Sequence, residues 1–241
     1  MDRIVLGKKV EIGRKVVLEG PPLEALLFQG SRIGSLITLT DAGGRDFRGR
    51  VLSLSGGKAT LLLFDVFSSP TEPPIEIILL QALPEKERME WIIQKATELG
   101  VSVIVPFKAQ KSISLGEREA KQKKAHRWQE IAVKAVQQSR RARVPVVETY
   151  RSFQEALGFC QEEGLKLILW EKEGECLKEI LKPSKKVFAM VGPEGGFTEE
   201  EVALAREFGF IPIKLGQRIL RTETAAVTLV GILQYELGDM G

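Results

Sequence analysis

Two glycine-containing loops near the C-terminus constrain the fold more than any other feature of the sequence. The first loop, residues 192–196 (GPEGG), joins an unbroken apolar run at residues 187–191 to a helix start at Thr198. Such a run is typical of a strand buried on both faces of a parallel sheet. Thr198 and Glu201 fit a capping box, in which each side chain bonds the other residue's backbone N–H. The sequence therefore predicts a strand, a glycine turn and a helix in succession.

The second loop repeats this arrangement further along the chain. Residues 213–215 form a short strand-like run, Gly216 follows, and Thr222 precedes a long stretch with apolar residues at helical spacing. Thr222 is therefore predicted to cap a long helix. Because open α/β sheets bind ligands at the carboxyl ends of their strands, two such loops on one sheet predict a ligand site. The alternative is that these glycines only turn the chain.

The residues of the first loop narrow the chemistry of this ligand. Neither the Rossmann spacing G-x-G-x-x-G nor the Walker pattern ending in Gly-Lys-Ser/Thr is present. Glu194 lies inside the loop, where its charge would repel a polyphosphate. The loop therefore favours a ligand with hydroxyl groups or a positive charge.

Both loops resemble the RsmE family of ribosomal RNA methyltransferases, a family of the SPOUT class. The similarity rests on residues 192–201 (GPEGGFTEEE) and 215–225 (LGQRILRTETA), and it extends to residues 88–100 (RMEWIIQKATELG). The resemblance implies an α/β fold with a parallel sheet and a C-terminal trefoil knot. It also implies methylation of N3 of a uridine in small-subunit ribosomal RNA with S-adenosyl-L-methionine. The alternatives are a SPOUT enzyme that acts on a transfer RNA base or a ribose 2′-hydroxyl, and a non-catalytic RNA-binding module.

The resemblance also implies which residues surround the cofactor. Backbone groups of Leu215, Ile219 and Leu220 would hold the adenine, and residues 192–196 would hold the ribose and the methionine portion. Alternatively, Ile219 and Leu220 cap the core beneath Phe188. The implied cofactor-binding residues are Leu169, Trp170, Val191, Gly192, Pro193, Glu194, Gly195, Gly196, Leu215, Gly216, Ile219, Leu220 and Arg221.

Four charged residues are candidates for the chemistry. Methylation of N3 of a uridine requires loss of its proton, so negative charge develops over the uracil carbonyl oxygens. We hypothesise that Arg221 or Arg141 stabilises this charge. Glu194 or Glu223 is the candidate proton acceptor. Each arginine has an alternative role as a phosphate or salt-bridge partner.

Basic residues are concentrated in the middle of the chain. Residues 108–143 contain eleven Lys and Arg against three Glu, a balance of +8 within a chain whose net charge is +3. This asymmetry predicts contact with a polyanion, although a solvated helix face is the simpler alternative. The candidate RNA-binding residues are Lys108, Lys111, Lys123, Lys124, Arg140, Arg141 and Arg143.

The pattern of elements divides the chain in two. Residues 1–68 contain short β-rich runs with turn signals such as Gly56-Gly57, which predict a small antiparallel barrel. The RsmE family has a PUA-like or OB-like barrel at this place, to which RNA binding is attributed. Residues 69–74 are a polar, proline-containing linker. Residues 75–241 alternate strands with helices, which predicts a parallel sheet covered on both faces.

Composition sets the remaining expectations. The chain of 241 residues is 44% hydrophobic, has no apolar run long enough to span a bilayer and begins with no secretory signal, so a cytoplasmic location is expected. Cys160 and Cys176 are far apart and accompanied by a single histidine, so neither a disulfide nor a metal site is expected. Both cysteines are predicted to be reduced packing residues.

The last predicted helix is apolar on more than one side. Beyond its core stripe it carries Val227, Ile232 and Tyr235. A homodimer is predicted to cover this second face, and coverage by the N-terminal half of the chain is the alternative.

Overall fold

The computed structural model describes residues 4–112 and 125–241, and these residues form two compact units. The first unit comprises the chain up to Glu72 together with Val133–Pro145, and the second comprises Pro73–Ala132 and Val146–Gly241. Sequence analysis had assigned residues 133–145 to the C-terminal domain. They group with the first unit, to which they are hydrogen-bonded; the Glu72 carboxylate, for example, accepts the backbone N–H groups of Ala142 and Arg143, each at 2.8 Å.

The first unit contains a four-stranded antiparallel sheet. Its strands follow the order β1-β4-β3-β2. Side chains on one face, among them Leu39, Phe47 and Leu61, form a closed apolar core. The predicted strands and the hairpin turn at Gly56-Gly57 are confirmed. The bounds of the strands are β1 Lys15–Leu18, β2 Leu36–Thr40, β3 Asp46–Ser55 and β4 Lys58–Val66.

Helix α1, Pro21–Phe28, was not predicted. Its two leading prolines occupy the first helical positions, where the missing N–H has no intrahelical partner to lose. Leu26 enters the core of the first unit, whereas Leu27 and Phe28 stay about half exposed. The predominantly apolar composition of α1 hides its helical period, because its outward side also carries apolar residues.

The second unit is built on an eight-stranded sheet in which all pairs of described strands run parallel. The order is β10-β12-β9-β11-β5-β6-β7, and β8 pairs with β6. The predicted parallel sheet is therefore confirmed. Its strands are β5 Glu76–Ala82, β6 Val103–Lys108, β7 Val146–Val147, β8 Arg151–Ser152, β9 Leu165–Leu169, β10 Glu175–Cys176, β11 Lys186–Val191 and β12 Ile211–Lys214.

Helices cover both faces of this sheet, as predicted. Alternate residues of β5 point to opposite faces, so Ile77 and Leu79 join one apolar cluster while Ile78 and Leu80 join the other. The helices are α2 Lys86–Glu98, α3 Ala125–Ser139, α4 Phe153–Gly158, α5 Leu177–Ile180, α6 Glu199–Glu207 and α7 Thr222–Leu237. Within the described ranges, no helix is long and apolar enough to cross a lipid bilayer.

The two cysteines differ in environment. Cys160 is buried in the second cluster, as predicted, but Cys176 is exposed on the short strand β10. The prediction that both are packing residues is therefore wrong for Cys176, because β10 presents both of its side chains to solvent. Burial raises the pKa of the Cys160 thiol to about 12. This thiol is neutral at physiological pH and is no candidate nucleophile.

Candidate active site

Three neighbouring strands of the parallel sheet end at the same edge. Strand β9 lies between β11 and β12 and pairs in parallel with both. Their carboxyl ends lead into the loops at residues 170–174, 192–198 and 215–221. Carboxyl ends of parallel strands are the usual place for a ligand in an α/β sheet. The third loop, after β9, joins the two that the sequence singled out.

The loop after β11 is held at both of its ends. The Gly196 N–H donates to the Pro193 carbonyl at 2.9 Å, which closes a tight turn. The ring of Phe197 is almost completely buried and stacks on the ring of Phe107. The predicted capping box at Thr198 is confirmed by both of its hydrogen bonds, at 2.9 and 3.2 Å. The loop is therefore a defined surface rather than a loose connection.

The loop after β12 ends in a buried polar network instead of the predicted cap. Thr222 is the first residue of α7, and its hydroxyl donates to the Gly192 carbonyl at 2.6 Å. The buried Gln81 amide donates to the same hydroxyl at 3.1 Å. The prediction that Thr222 caps the helix is wrong, because its hydroxyl joins the two loops while Arg221 takes the cap position without a side-chain bond.

We expect Thr222→Val to destabilise the protein and loosen both loops. The change deletes the donor to Gly192 and the acceptor of Gln81 inside the core, which costs about 1–3 kcal/mol for buried groups left unpaired. Urea unfolding measures the loss. Thr224→Val is the matched control because Thr224 is exposed on the same helix. Equal stability of the two variants would contradict a structural role for the network.

A cavity of about 450 Å³ opens between the three loops. Its walls come from these loops, with Arg88 of α2 and two residues of α7 completing them. The lining residues are Arg88, Leu169, Trp170, Glu171, Val191, Gly192, Pro193, Glu194, Gly195, Gly196, Lys214, Leu215, Gly216, Gln217, Arg218, Ile219, Leu220, Arg221, Thr222 and Ala225. Every residue that sequence analysis implied for the cofactor is among them.

The two apolar residues of the loop after β12 have different environments. Leu220 is partly buried against the core cluster that contains Ile77. Ile219 is 89% exposed and covers no core. Phe188 belongs to the opposite cluster. The alternative in which Ile219 and Leu220 cap the core beneath Phe188 is therefore wrong, and Ile219 is free to contact a ligand.

Sequence analysis predicted only some of the charged side chains around the cavity. Arg88 donates to the Glu194 carboxylate at 2.8 Å, and the Glu85 backbone N–H donates to the same oxygen at 3.1 Å. Glu171, two residues after the end of β9, also lines the cavity but forms no ion pair with the residues that the structure describes. The lining carries four basic and two acidic side chains in all. The negative charge of Glu194 therefore does not by itself favour a cationic ligand, because Arg88 neutralises that charge.

Sequence analysis missed these two charged residues for different reasons. Glu171 was detectable, since it directly follows Trp170, which the resemblance already implied for the cofactor. Arg88 lies on a helix far from both loops in sequence, and only the tertiary fold brings it to Glu194. Of the other lining residues, the missed ones are Lys214, Gln217, Arg218, Thr222 and Ala225.

The four candidate catalytic residues lie in different parts of the structure. Arg221 and Glu194 line the cavity. The Arg221 side chain is exposed and forms no hydrogen bond or ion pair within the described ranges. Glu223 is not a lining residue, and its carboxylate lies 3.9 Å from Arg88 Nε. Arg141 belongs to the first unit, where it is buried and pairs with Glu72 at 2.7 Å. Of the two arginines, Arg221 lines the cavity, whereas Arg141 is engaged with Glu72.

The candidate RNA-binding residues that the structure describes are divided between the two units. Lys108 and Lys111 are exposed in the second unit, and Lys111 Nζ donates to the Gly195 carbonyl at 3.0 Å. Arg140 is exposed and Arg143 half-buried in the first unit. Lys123 and Lys124 lie outside the described residues. Lys111 thus combines a positive charge with a direct contact to the glycine loop.

We expect Gly196→Ala to weaken ligand binding in the cavity. Gly196 has a φ of 66°, and an added Cβ would lie 3.0 Å from a carboxylate oxygen of Glu171. The left-handed conformation alone costs about 1–2 kcal/mol with a side chain, which corresponds to about a tenfold loss of affinity if the loop shifts to relieve it. Calorimetric titration with S-adenosylmethionine measures the change.

A matched control separates this local effect from a general one. Gly231 lies in α7 with open space around its Cβ position and no positive φ. Gly231→Ala should keep wild-type affinity. Unchanged affinity of Gly196→Ala would contradict the assignment of this turn to the binding surface.

A family model places this architecture in a protein class. The model described as an RNA methyltransferase domain matches residues 71–234, which covers the parallel sheet and all three loops of the cavity. The class that the fold and the site define is therefore that of the RNA methyltransferases.

Individual relatives narrow the class further. The chain is 34% identical over 212 residues to ribosomal RNA small subunit methyltransferase E of Bacillus subtilis, covering 84% of this chain and 82% of that protein. A crystal structure of the enzyme of the same name from Neisseria gonorrhoeae, bound to S-adenosyl methionine, matches the whole of both chains with a TM-score of 0.74 and 35% identity. A protein of Legionella pneumophila whose structure contains the same bound cofactor matches 98% of both chains with a TM-score of 0.73 and 31% identity. The chain belongs to the ribosomal RNA small subunit methyltransferase E family, and the resemblance noted from its two loops is confirmed.

Proposed function

We propose that the protein methylates N3 of a uridine in small-subunit ribosomal RNA and that S-adenosyl-L-methionine is its methyl donor. The cavity between the loops after β9, β11 and β12 carries this proposal, together with membership of the ribosomal RNA methyltransferase E family. Two solved structures with bound S-adenosylmethionine match 100% and 98% of this chain.

The cavity fits a nucleoside cofactor. Its volume of about 450 Å³ lies within the range of roughly 300–1,000 Å³ that is usual for small-molecule sites. Added Cβ atoms at Gly195 and Gly196 would lie 2.9 Å from Lys111 and 3.0 Å from Glu171, so these glycines keep the surface open. We propose that backbone groups of Leu215, Ile219 and Leu220 hold the adenine and that residues 192–196 hold the ribose and methionine portion. When bound, S-adenosylmethionine supplies an electrophilic methyl group.

The residues of this chain then position the base and handle its proton. N3 lies on the Watson–Crick edge of uracil, so the base must be unpaired and turned out to reach the site. We propose that Arg221 stabilises the charge that develops on the uracil carbonyl oxygens, because its side chain lines the cavity without another partner in the described residues. Of the two acids, we favour Glu194 as the proton acceptor over Glu223. Glu194 lines the cavity, and its described contacts engage a single carboxylate oxygen.

The topology of the second unit supports a trefoil knot. Strand β12 lies on one side of β9, yet the helix that follows, α7, packs against α2, β5 and β11 on the other side. The chain therefore crosses back past β9 after its last strand. We propose that this crossing threads the C-terminal helix through the preceding loops, as in the SPOUT class.

The remaining expectations belong to the same proposal. We propose that the antiparallel sheet of residues 1–68 is part of a PUA-like or OB-like RNA-binding barrel, with residues 69–74 as the linker to a methyltransferase domain within 75–241, from which residues 133–145 return to the first unit. A cytoplasmic location follows from a ribosomal substrate. A homodimer would cover the outer side of α7, where Tyr235 is 62% exposed and Val227 and Ile232 are partly buried. Sedimentation that gives a monomer at low micromolar concentration would contradict the dimer.

A methylation assay tests the proposed function. Small ribosomal subunits from a strain in which the gene for this protein is deleted are incubated with the protein and tritium-labelled S-adenosylmethionine. The ribosomal RNA is then digested and its nucleosides are separated. Label in 3-methyluridine supports the proposal. Label in another nucleoside or in ribose 2′-O-methyl groups indicates a different acceptor, and RNA binding without any label indicates a non-catalytic module.

A further inference from the structure

Arg140 has an unusual backbone conformation. Its φ is 64°, and it is the one residue other than glycine with a positive φ among the described residues. A positive φ is unfavourable for a residue with a side chain because its Cβ then lies too close to the following carbonyl oxygen. Strain of this kind at an exposed residue suggests a functional reason for the side chain.

Contacts at the Arg140 carbonyl and at the residues directly after it hold the backbone in this conformation. The Thr38 hydroxyl on β2 donates to the Arg140 carbonyl at 3.0 Å. Directly after Arg140, the Glu72 carboxylate pairs with Arg141 and accepts the N–H groups of Ala142 and Arg143. The backbone of Arg140 is therefore fixed while its side chain remains exposed.

A second arginine contacts the same threonine. Arg48 lies opposite Thr38 in the pairing of β2 and β3, and its guanidinium donates to the Thr38 hydroxyl at 3.2 Å. Burial lowers the pKa of the Arg48 guanidinium and the positive charge of Arg140 lowers it further, while Asp65 opposes both effects. The Thr38 hydroxyl thus joins the guanidinium of Arg48 to the backbone carbonyl of Arg140, and the positive charges of the two arginines repel each other.

Such a pair is poised to bind an anion. Guanidinium groups form paired, charge-assisted hydrogen bonds with phosphate oxygens, and an anion between them removes their repulsion. Arg50 follows on the same outward side of β3, opposite Leu36, so the positive surface continues along the strand. Arginines that lie together on and beside the outward face of a sheet suit a nucleic acid backbone.

We propose that Arg48 and Arg140 together bind one phosphodiester group of the substrate RNA. This inference rests on the proposed function, since it takes the ligand to be RNA, and it assigns the first unit a defined contact with that RNA. The left-handed backbone at residue 140 directs the arginine to this site at the expense of local stability.

Substitution of Arg140 by glycine tests the proposal because it should weaken RNA binding without lowering the stability of the protein. Arg140→Gly removes the guanidinium and relieves the strained backbone. Its midpoint of thermal unfolding should equal or exceed that of the wild type, while its Kd for a fragment of small-subunit ribosomal RNA should rise about five- to tenfold. The slope of log Kd against log salt concentration should also fall by about 0.7–1, as for the loss of one phosphate contact. Arg14→Ala, which removes another exposed arginine of the first unit, should leave the unfolding midpoint, the Kd and the salt slope unchanged.

A double-mutant cycle tests whether the two arginines share one phosphate. Arg48→Gln should weaken RNA binding to a similar degree, and the Arg48→Gln/Arg140→Gly variant should lose clearly less than the product of the two separate factors. Wild-type RNA affinity and salt slope in Arg140→Gly, or fully multiplicative losses in the double variant, would overturn the proposal. Methyl transfer by the wild type, measured in parallel, shows whether such a result leaves the proposed function standing.

Discussion

Arg221→Ala is expected to lower kcat for methylation of ribosomal RNA by about 10²–10³-fold, the usual loss when one donor to a developing negative charge is removed. Arg221 is the N-cap residue of α7, and no described side chain engages its guanidinium. Because the side chain forms no structural contact there, its removal should leave the unfolding midpoint and the affinity for S-adenosylmethionine close to wild type. Single-turnover assays on small subunits measure the chemical step.

Two further variants make this prediction specific. Arg221→Lys retains the charge but loses the planar fork of donors, so it should recover only part of the rate. Arg206→Ala removes a half-exposed arginine that lies 3.8 Å from Glu173 and outside the cavity. It should retain full activity. Wild-type turnover by Arg221→Ala would exclude this residue from the mechanism, and a parallel loss of cofactor affinity would assign it to binding instead.

Glu72→Ala is expected to cause the largest loss of stability among the variants considered. The Glu72 carboxylate pairs with the buried guanidinium of Arg141 at 2.7 Å and accepts two backbone N–H groups of the same segment. Removing one partner of a buried ion pair costs about 3–5 kcal/mol because the other charge stays in a poorly solvated place. Chemical denaturation should therefore show a loss of about 3 kcal/mol or more.

An exposed ion pair of the first unit provides the control. Glu19 pairs with Lys58 at 2.7 Å, and both side chains are more than half exposed. Glu19→Ala should not measurably change stability, because solvent screens such pairs. If Glu72→Ala were as stable as Glu19→Ala, the attachment of residues 133–145 to the first unit would not depend on this carboxylate.

Local sequence signals foretold the elements that build the site. The apolar run at residues 187–191, the capping box at Thr198 and the glycines of both loops each act over a few residues, and all appear in the structure as predicted. By contrast, Thr222 has a local signal for a helix cap but a different role. Its partner Gln81 is 141 positions away. The role of Thr222 depends on this distant partner, and a local sequence pattern contains no information about it.

Long-range pairs explain most of what the sequence did not reveal. Arg88 meets Glu194 across 106 positions, and Glu72 meets Arg141 across 69. Each of these charges carries a plausible local interpretation, as a solvated helix residue or an RNA contact. Only the fold shows that Arg88 neutralises an acid of the cavity and that Arg141 is a buried structural partner.

The central claim is that the loops after β9, β11 and β12 hold the methyl donor, and a crystal structure of the protein with S-adenosylmethionine tests it most directly. The account predicts electron density for the adenine beside Leu215, Ile219 and Leu220, and for the methionine portion along residues 192–196. Density for the cofactor at another place on the chain would contradict the claim, as would a cavity that stays closed by its own side chains at a saturating cofactor concentration.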